Sequence, residues 1–183
     1  MHKACETGNV DRVKELLEQG EDPTIADNWY IKLASKNGHS KVVEVLLQDS
    51  RVDPTSDRNY AIRLASEVGH TEVVKVLLQD DRVDPTDWNN EAIRMASFYG
   101  HVDVISLLLQ DGRANPTEYG NQSITNASIN GHTKVVEVLL QDGRVEITSY
   151  AIMFAQTEEI REMLIRYKYR VDGPEYRRMK EQN

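Results

Sequence analysis

Apolar and polar residues along this chain fall into a short pattern that keeps restarting. Val73, Val74, Leu77 and Leu78 stand at i, i+1, i+4 and i+5, which is one face of a helix with 3.6 residues per turn. Just upstream, Ile62, Leu64 and Ala65 open a shorter apolar helix, with Asn59 placed as its N-cap. Gly69 lies between the two and ends the first, since glycine takes the left-handed conformation without steric cost. Asp84-Pro85 closes the unit, because proline cannot continue a helix and disfavours helical geometry before it. The unit is therefore a helix-turn-helix.

It recurs in strict phase. Gly38-His39, Gly69-His70, Gly100-His101 and Gly131-His132 each follow the last by 31 residues, and Pro23, Pro54, Pro85 and Pro116 keep the same step. A fixed period of this size marks a solenoid of stacked repeats. One such helix pair leaves most of its apolar face in water. Each buried Leu or Val is worth roughly 1.5–3 kcal/mol, so the gain comes when neighbours stack. The expected architecture is an all-α solenoid spanning residues 1–170. An N-terminal unit covers 1–23, full units cover 24–54, 55–85, 86–116 and 117–147, and a degenerate closing unit covers 148–170. In the N-terminal unit Asp11, Arg12, Lys14, Glu15 and Glu18 give a polar outer face, as a cap needs, or mark the trimmed start of a longer array. In the closing unit Tyr150 to Ala155 matches a first helix, the equivalent of Glu67–His70 is missing, and Thr157 to Leu164 resumes as a second helix. Residues 171–183 form a tail with a Gly173-Pro174 break and a short polar helix beyond it.

Gly-His-x-Glu-Val-Val-Lys-x-Leu-Leu, read from Gly69 to Leu78, resembles the second half of an ankyrin repeat. Gly20-Glu-Asp-Pro-Thr24 is similar to the loop of that family, and the likeness runs over roughly residues 2 to 165. The family's Thr-Pro-Leu-His opening is replaced by Trp29-Tyr-Ile-Lys32, Tyr60-Ala-Ile-Arg63, Glu91-Ala-Ile-Arg94 and Gln122-Ser-Ile-Thr125. The unit is also shorter than the usual length of about 33. The shortfall lies in the finger, so tight turns are expected there instead of strands. The 31-residue style resembles arrays common in large DNA viruses and amoeboid protists. The resemblance implies a non-catalytic module that binds a protein or peptide through a concave face built of finger tips and first-helix ends, acting as scaffold, adaptor or inhibitor. The competing expectation is a spacer array without a dedicated ligand.

Composition narrows this further. A net charge of −8 argues against general affinity for nucleic acid or anionic lipid, and the apolar runs are too short to span a bilayer. No signal peptide is visible at the start, and the single Cys5 precludes an intramolecular disulfide. It reads as an inert core residue. A monomer in the cytoplasm, or the nucleus, is the expectation. Charge is uneven, with +3 from Arg161 to Asn183 and −11 over the remainder. The histidine column does not suggest a metal, because helices one repeat apart lie about 8–10 Å from each other and ligand bonds are near 2 Å. The imidazoles are expected to tie loop backbone together. No phosphate loop, nucleophile elbow or converging carboxylate pair is present, so neither catalytic residues nor a cofactor are assigned.

Two charged columns invite a structural reading. Lys32, Arg63 and Arg94 recur on the first helices, and Asp22, Asp53 and Asp84 recur in the loops before them. Pairing between the columns is expected, partly exposed and worth about 0–1 kcal/mol per pair. Thr125 and Asn115 lose the charge together, as such a contact would require. The positions that vary most between copies suggest where a partner binds. Trp88, Phe98, Tyr99, Tyr119 and Ile129 are expected on one face, in a chain with only 7% aromatics. Asp57, Glu67 and Asp87, with Glu118, flank them, which suits a partner with a basic rim and an apolar centre. Trp29 and Tyr60 are expected to face the core.

Overall fold

The computed structural model describes residues 1–169, so the tail expected at 171–183 and residue 170 of the closing unit lie outside the described residues. Twelve helices follow one another among those residues, without a strand. They come as pairs: α1 (His2–Thr7) with α2 (Val10–Glu18), α3 (Ile25–Lys36) with α4 (Ser40–Leu47), and α5 (Ser56–Val68) with α6 (Thr71–Leu78). Then follow α7 (Asp87–Tyr99) with α8 (Val102–Asp111), α9 (Glu118–Ile129) with α10 (Thr133–Asp142), and α11 (Ser149–Met153) with α12 (Glu158–Tyr169). First helices pack on first helices and second helices on second, in chain order. The result is a two-layer helical solenoid.

The core is a set of columns running along the stack. Ile31, Ile62, Ile93 and Ile124 form one and Leu46, Leu77, Leu108 and Leu139 another, all fully buried. Each side chain meets its own image one unit away, which is why a strict sequence period yields a continuous core. Cys5 joins that core, and burial pushes its thiol up to about 11, so it is not a nucleophile at neutral pH.

The turns between paired helices lock neighbouring units. Gly69 ends α5 in the left-handed region at φ 86°. A Cβ there would lie 2.5 Å from the ring of His101 in the next unit. That ring reaches back so that Nε2 donates to the Glu67 carbonyl at 2.9 Å. His39, His70 and His132 do the same to Glu6, Lys36 and Phe98. A carbonyl only accepts, so Nε2 carries the proton in each. The expected backbone-tying role of the histidines holds, and the tie spans two repeats. Where the closing unit lacks the Gly-His turn, Gln156 occupies the space over Gly131, and its backbone N–H donates to the Ser128 carbonyl at 2.9 Å.

The fingers are tight turns of an unusual kind. Three consecutive residues near the start of each inner first helix are left-handed: Ala26 to Asn28, Asp57 to Asn59, Trp88 to Asn90 and Tyr119 to Asn121. Such a conformation costs roughly 1–2 kcal/mol for an ordinary L-residue, least for Asn and Gly. The third residue is always Asn, and it is always buried. Its Oδ1 accepts the backbone N–H of the following loop, from Asp53 to Asn28 and from Asp84 to Asn59 at 2.8 Å, then from Asn115 to Asn90 and from Glu146 to Asn121. Asn59 is therefore not the N-cap expected from its position. Its side chain spans to the next unit, where Nδ2 also donates to Asp87.

The pairing expected between the charged columns is absent. Asp22, Asp53 and Asp84 each accept from the backbone N–H and hydroxyl of the threonine two residues on, closing the loop on itself. Asn115 does the same for Thr117, so its co-occurrence with Thr125 reflects no contact between columns. Lys32, Arg63 and Arg94 are buried, contrary to the partial exposure expected of them. Arg63 pairs with Glu91 and Arg94 with Gln122, both at the first turn of the following unit. They also donate to finger carbonyls of their own units, Arg63 to Asp57 and Arg58, Arg94 to Trp88 and Asn89. Those carbonyls turn inward because the finger is left-handed, which is what makes burial of the guanidinium tolerable. The unit after Lys32 offers Tyr60 in place of Glu91, and Lys32 turns instead to Asp27 of its own finger at 2.8 Å. Trp29 belongs to the same column as Tyr60, Glu91 and Gln122. The position one period before Lys32 is Met1, so no side-chain base of that column lies before Trp29, and Trp29 is exposed where a core position was expected; Tyr60 is half-buried beneath Arg63.

Candidate partner-binding surface

The aromatic residues singled out in the sequence fall at the two ends of first helices. Trp88 and Tyr119 are in fingers, where a left-handed backbone turns the side chain out of the stack. Both are exposed. The Arg63 guanidinium lies 4.2 Å from the Trp88 ring centroid and that of Arg58 lies 5.2 Å away, while Arg94 lies 5.1 Å from Tyr119. Each finger ring thus rests on the buried base of the unit before it, an attraction of about 0.5–2 kcal/mol according to desolvation. Asp87 holds the turn, with Oδ1 accepting from the Trp88 N–H at 2.8 Å and Oδ2 from Asn59. An open groove of about 540 Å³ lies beside Trp88, bordered by Arg58, Asp84, Asp87 and Glu118.

Phe98 and Tyr99 sit at the other end of α7, roughly 15 Å from Trp88 at 1.5 Å per residue. They are exposed and meet edge to face with centroids 5.0 Å apart, and Tyr99 stacks on His101 at 6.3 Å. No ring pairing joins Phe98 to Trp88 among the described residues, so the two do not fill each other's space. Ile129 is half-buried one unit further along the same turns. Val68, the residue equivalent to Tyr99 one unit earlier, is exposed as well. Its exposure marks it as part of the same apolar row. Of the flanking acids, Asp57 is exposed, while Glu67 and Asp87 are half-buried.

No three His, Cys, Asp or Glu side chains gather in a metal-holding group among the described residues. No helix there is long and apolar enough to cross a membrane. Helix pairs repeating in one direction, short fingers and Gly-His turns clasped by the next unit define a repeat protein of the ankyrin type. A family model described as ankyrin repeats (3 copies) matches residues 1–87 and 62–150, and the chain belongs to the ankyrin repeat family. No curated protein matches the chain. Ankyrin repeats generally mediate protein–protein interaction.

Proposed function

We propose that the chain is a non-catalytic recognition module. It binds a protein or peptide with a basic rim and an apolar centre across the finger and turn ends of its central first helices. The observation that carries this reading is the exposed row at the turns. Phe98 and Tyr99 stand there with Val68 and Ile129 beside them, where the equivalent positions of the second unit are Lys36 and Asn37. Turn positions hold large apolar groups in water only at a cost, and exposed aromatics are the usual energetic centres of interfaces. Trp88 and Tyr119 add a second row at the fingers, each already stiffened by an arginine beneath it, which lowers the entropy lost on binding. Asp57, Glu67 and Asp87 supply the negative margin that favours a basic rim. Whether the bound array acts as scaffold, adaptor or inhibitor follows from the partner.

Selection from a displayed random-peptide library tests this. Enriched peptides are expected to carry apolar residues flanked by Lys or Arg. Their affinity is expected to fall at least about thirtyfold for the triple variant Trp88→Ala, Phe98→Ala, Tyr99→Ala, as interface anchors worth 2 kcal/mol or more require. Peptides held equally well by that variant, with its thermal melt unchanged, would refute the assignment of this face.

A further inference from the structure

The unit spanning 86–116 departs from its images at both ends of α7. One period earlier, Asp57, Leu64, Glu67 and Val68 stand where α7 has Trp88, Met95, Phe98 and Tyr99. A repeat stacks through what its copies share, so positions that break the period without entering the core are free for another task. Trp88, Phe98 and Tyr99 are exposed, and Met95 is half-buried where Leu33 and Leu64 are buried. Met95 precedes Phe98 and Tyr99 by three and four residues, so it lies on the side of α7 that they continue.

The groove beside Trp88 is unevenly charged, with Asp84, Asp87 and Glu118 against one base, Arg58. Asp87 is engaged at both oxygens, by the Trp88 N–H and by Asn59. Among the described residues Asp84 accepts only through Oδ1 and Glu118 only through Oε2, which leaves one carboxylate oxygen of each without a donor. Arg58 is exposed, with its guanidinium 5.2 Å from the Trp88 centroid. Lys32 and Arg63 each have an acid as partner; Arg58 has none among the described residues. The fingers on either side lack this combination. Asp57 replaces the indole one unit earlier, and one unit later Tyr119 has Asn115 and Ser149 at the places of Asp84 and Glu118.

We propose that this groove seats an arginine side chain of the partner, and that the partner runs along α7 as an extended segment with an apolar residue on Phe98 and Tyr99. This rests on the recognition role proposed above and names the residues that role reads. A guanidinium is planar and forked, so it lies flat on the indole in the place Arg58 now takes and bonds at its edge to Asp84 and Glu118. A lysine ammonium brings the charge without the flat contact. The two anchors are roughly 15 Å apart at about 1.5 Å per helical residue. An extended chain advances about 3.3 Å per residue, so they fall about five residues apart in the partner. Met95 gives an adaptable floor between them.

The test uses peptides enriched on the full chain in the displayed-library selection, resynthesised with arginine replaced by citrulline, its neutral isostere, or with the arginine-to-apolar spacing changed by two residues. Either change is expected to weaken binding about tenfold. Glu118→Gln is expected to erase the preference for arginine over citrulline, and Asp84→Asn reads the same preference if Glu118→Gln lowers the thermal melt. Arg58→Ala is expected to raise affinity about threefold by clearing the ring. Enriched peptides without arginine, tolerance of citrulline or of altered spacing, a preference that survives in both carboxylate variants, or affinity not raised by Arg58→Ala would overturn the inference. The recognition role would still stand if the Trp88→Ala, Phe98→Ala, Tyr99→Ala variant lost those peptides. A selection that enriches nothing, or peptides held equally well by that triple variant, would remove the role and this inference with it.

Discussion

The inner units and the closing unit are built on the same helix pair but hold themselves differently. Between α3 and α10 every unit is tied to its neighbour by a histidine over a glycine, a buried Asn reaching the next loop, and a loop arginine reaching the previous one. In the closing unit Gln156 replaces the histidine, Met153 replaces the buried base, and α11 has five residues. Its second helix adds a lighter tie to the preceding unit, the Tyr167 hydroxyl donating to the Gly143 carbonyl at 3.2 Å. The difference shows where stability resides in such a stack. It lies in contacts between repeats, so a unit with one neighbour must replace half of them by other means.

Substitution of matching glycines gives the sharpest contrast. Gly69→Ala adds a strained left-handed residue and drives its Cβ into the His101 ring, which is itself pinned to a carbonyl. A loss of about 3 kcal/mol is expected in urea melts. Gly131→Ala meets only the far end of Gln156, a side chain able to rotate away, so about 1–2 kcal/mol is expected. Equal losses would erase the distinction between a clasped turn and a loose one.

The basic column offers a second contrast. Arg63→Ala strips partners from Glu91 and from two finger carbonyls, and removes the cation beneath Trp88. About 2–3 kcal/mol is expected to be lost. Met153→Ala in the same column, at an exposed position, is expected to stay within about 0.5 kcal/mol. Paired chemical melts of the two variants read both outcomes.

The smallest effect is in acid. Hydrogen bonds from Arg82 and Arg113 hold the Asp80 and Asp111 carboxyls below their ordinary range. Their folded pKa values lie below the unfolded ones, so the unfolded chain binds protons first as pH falls. The stabilisation is complete above about pH 5 and is lost progressively through pH 4 and below. Each pair contributes about 0–1 kcal/mol. Asp80→Asn is expected to flatten the fall of stability between about pH 5 and 3, whereas an unchanged slope would remove these loops from the account of how inner units are held.

Much of this was legible from residue pattern. Ile62, Leu77 and their images gave the helix pairs and the core columns, because a helix face repeats at a fixed angle and a stack repeats at a fixed length. The Gly-His turn was readable as a backbone tie. Less readable were the bonds that cross between units. Asn59 looked like an N-cap because an Asn before an apolar helix usually is one, yet the left-handed finger turns its amide toward the next loop. Asp53 and Arg63 looked like partners because both recur every 31 residues, but any two columns share that property. Among the candidate binding residues, place at the finger or the turn end of a first helix separated Trp88 with Tyr119 from Phe98 with Tyr99, and exposure added Val68. The variable positions named the rim without saying which neighbours lie together.

By itself, the amino-acid order determined the period, the helices and the family, since these depend on spacing along one strand of chain. Only the packed stack decided which recurring polar groups meet and which base is buried. Those outcomes depend on the offset between neighbouring units. That offset arises from side chains wedging together in three dimensions and leaves no trace in a period that every column shares.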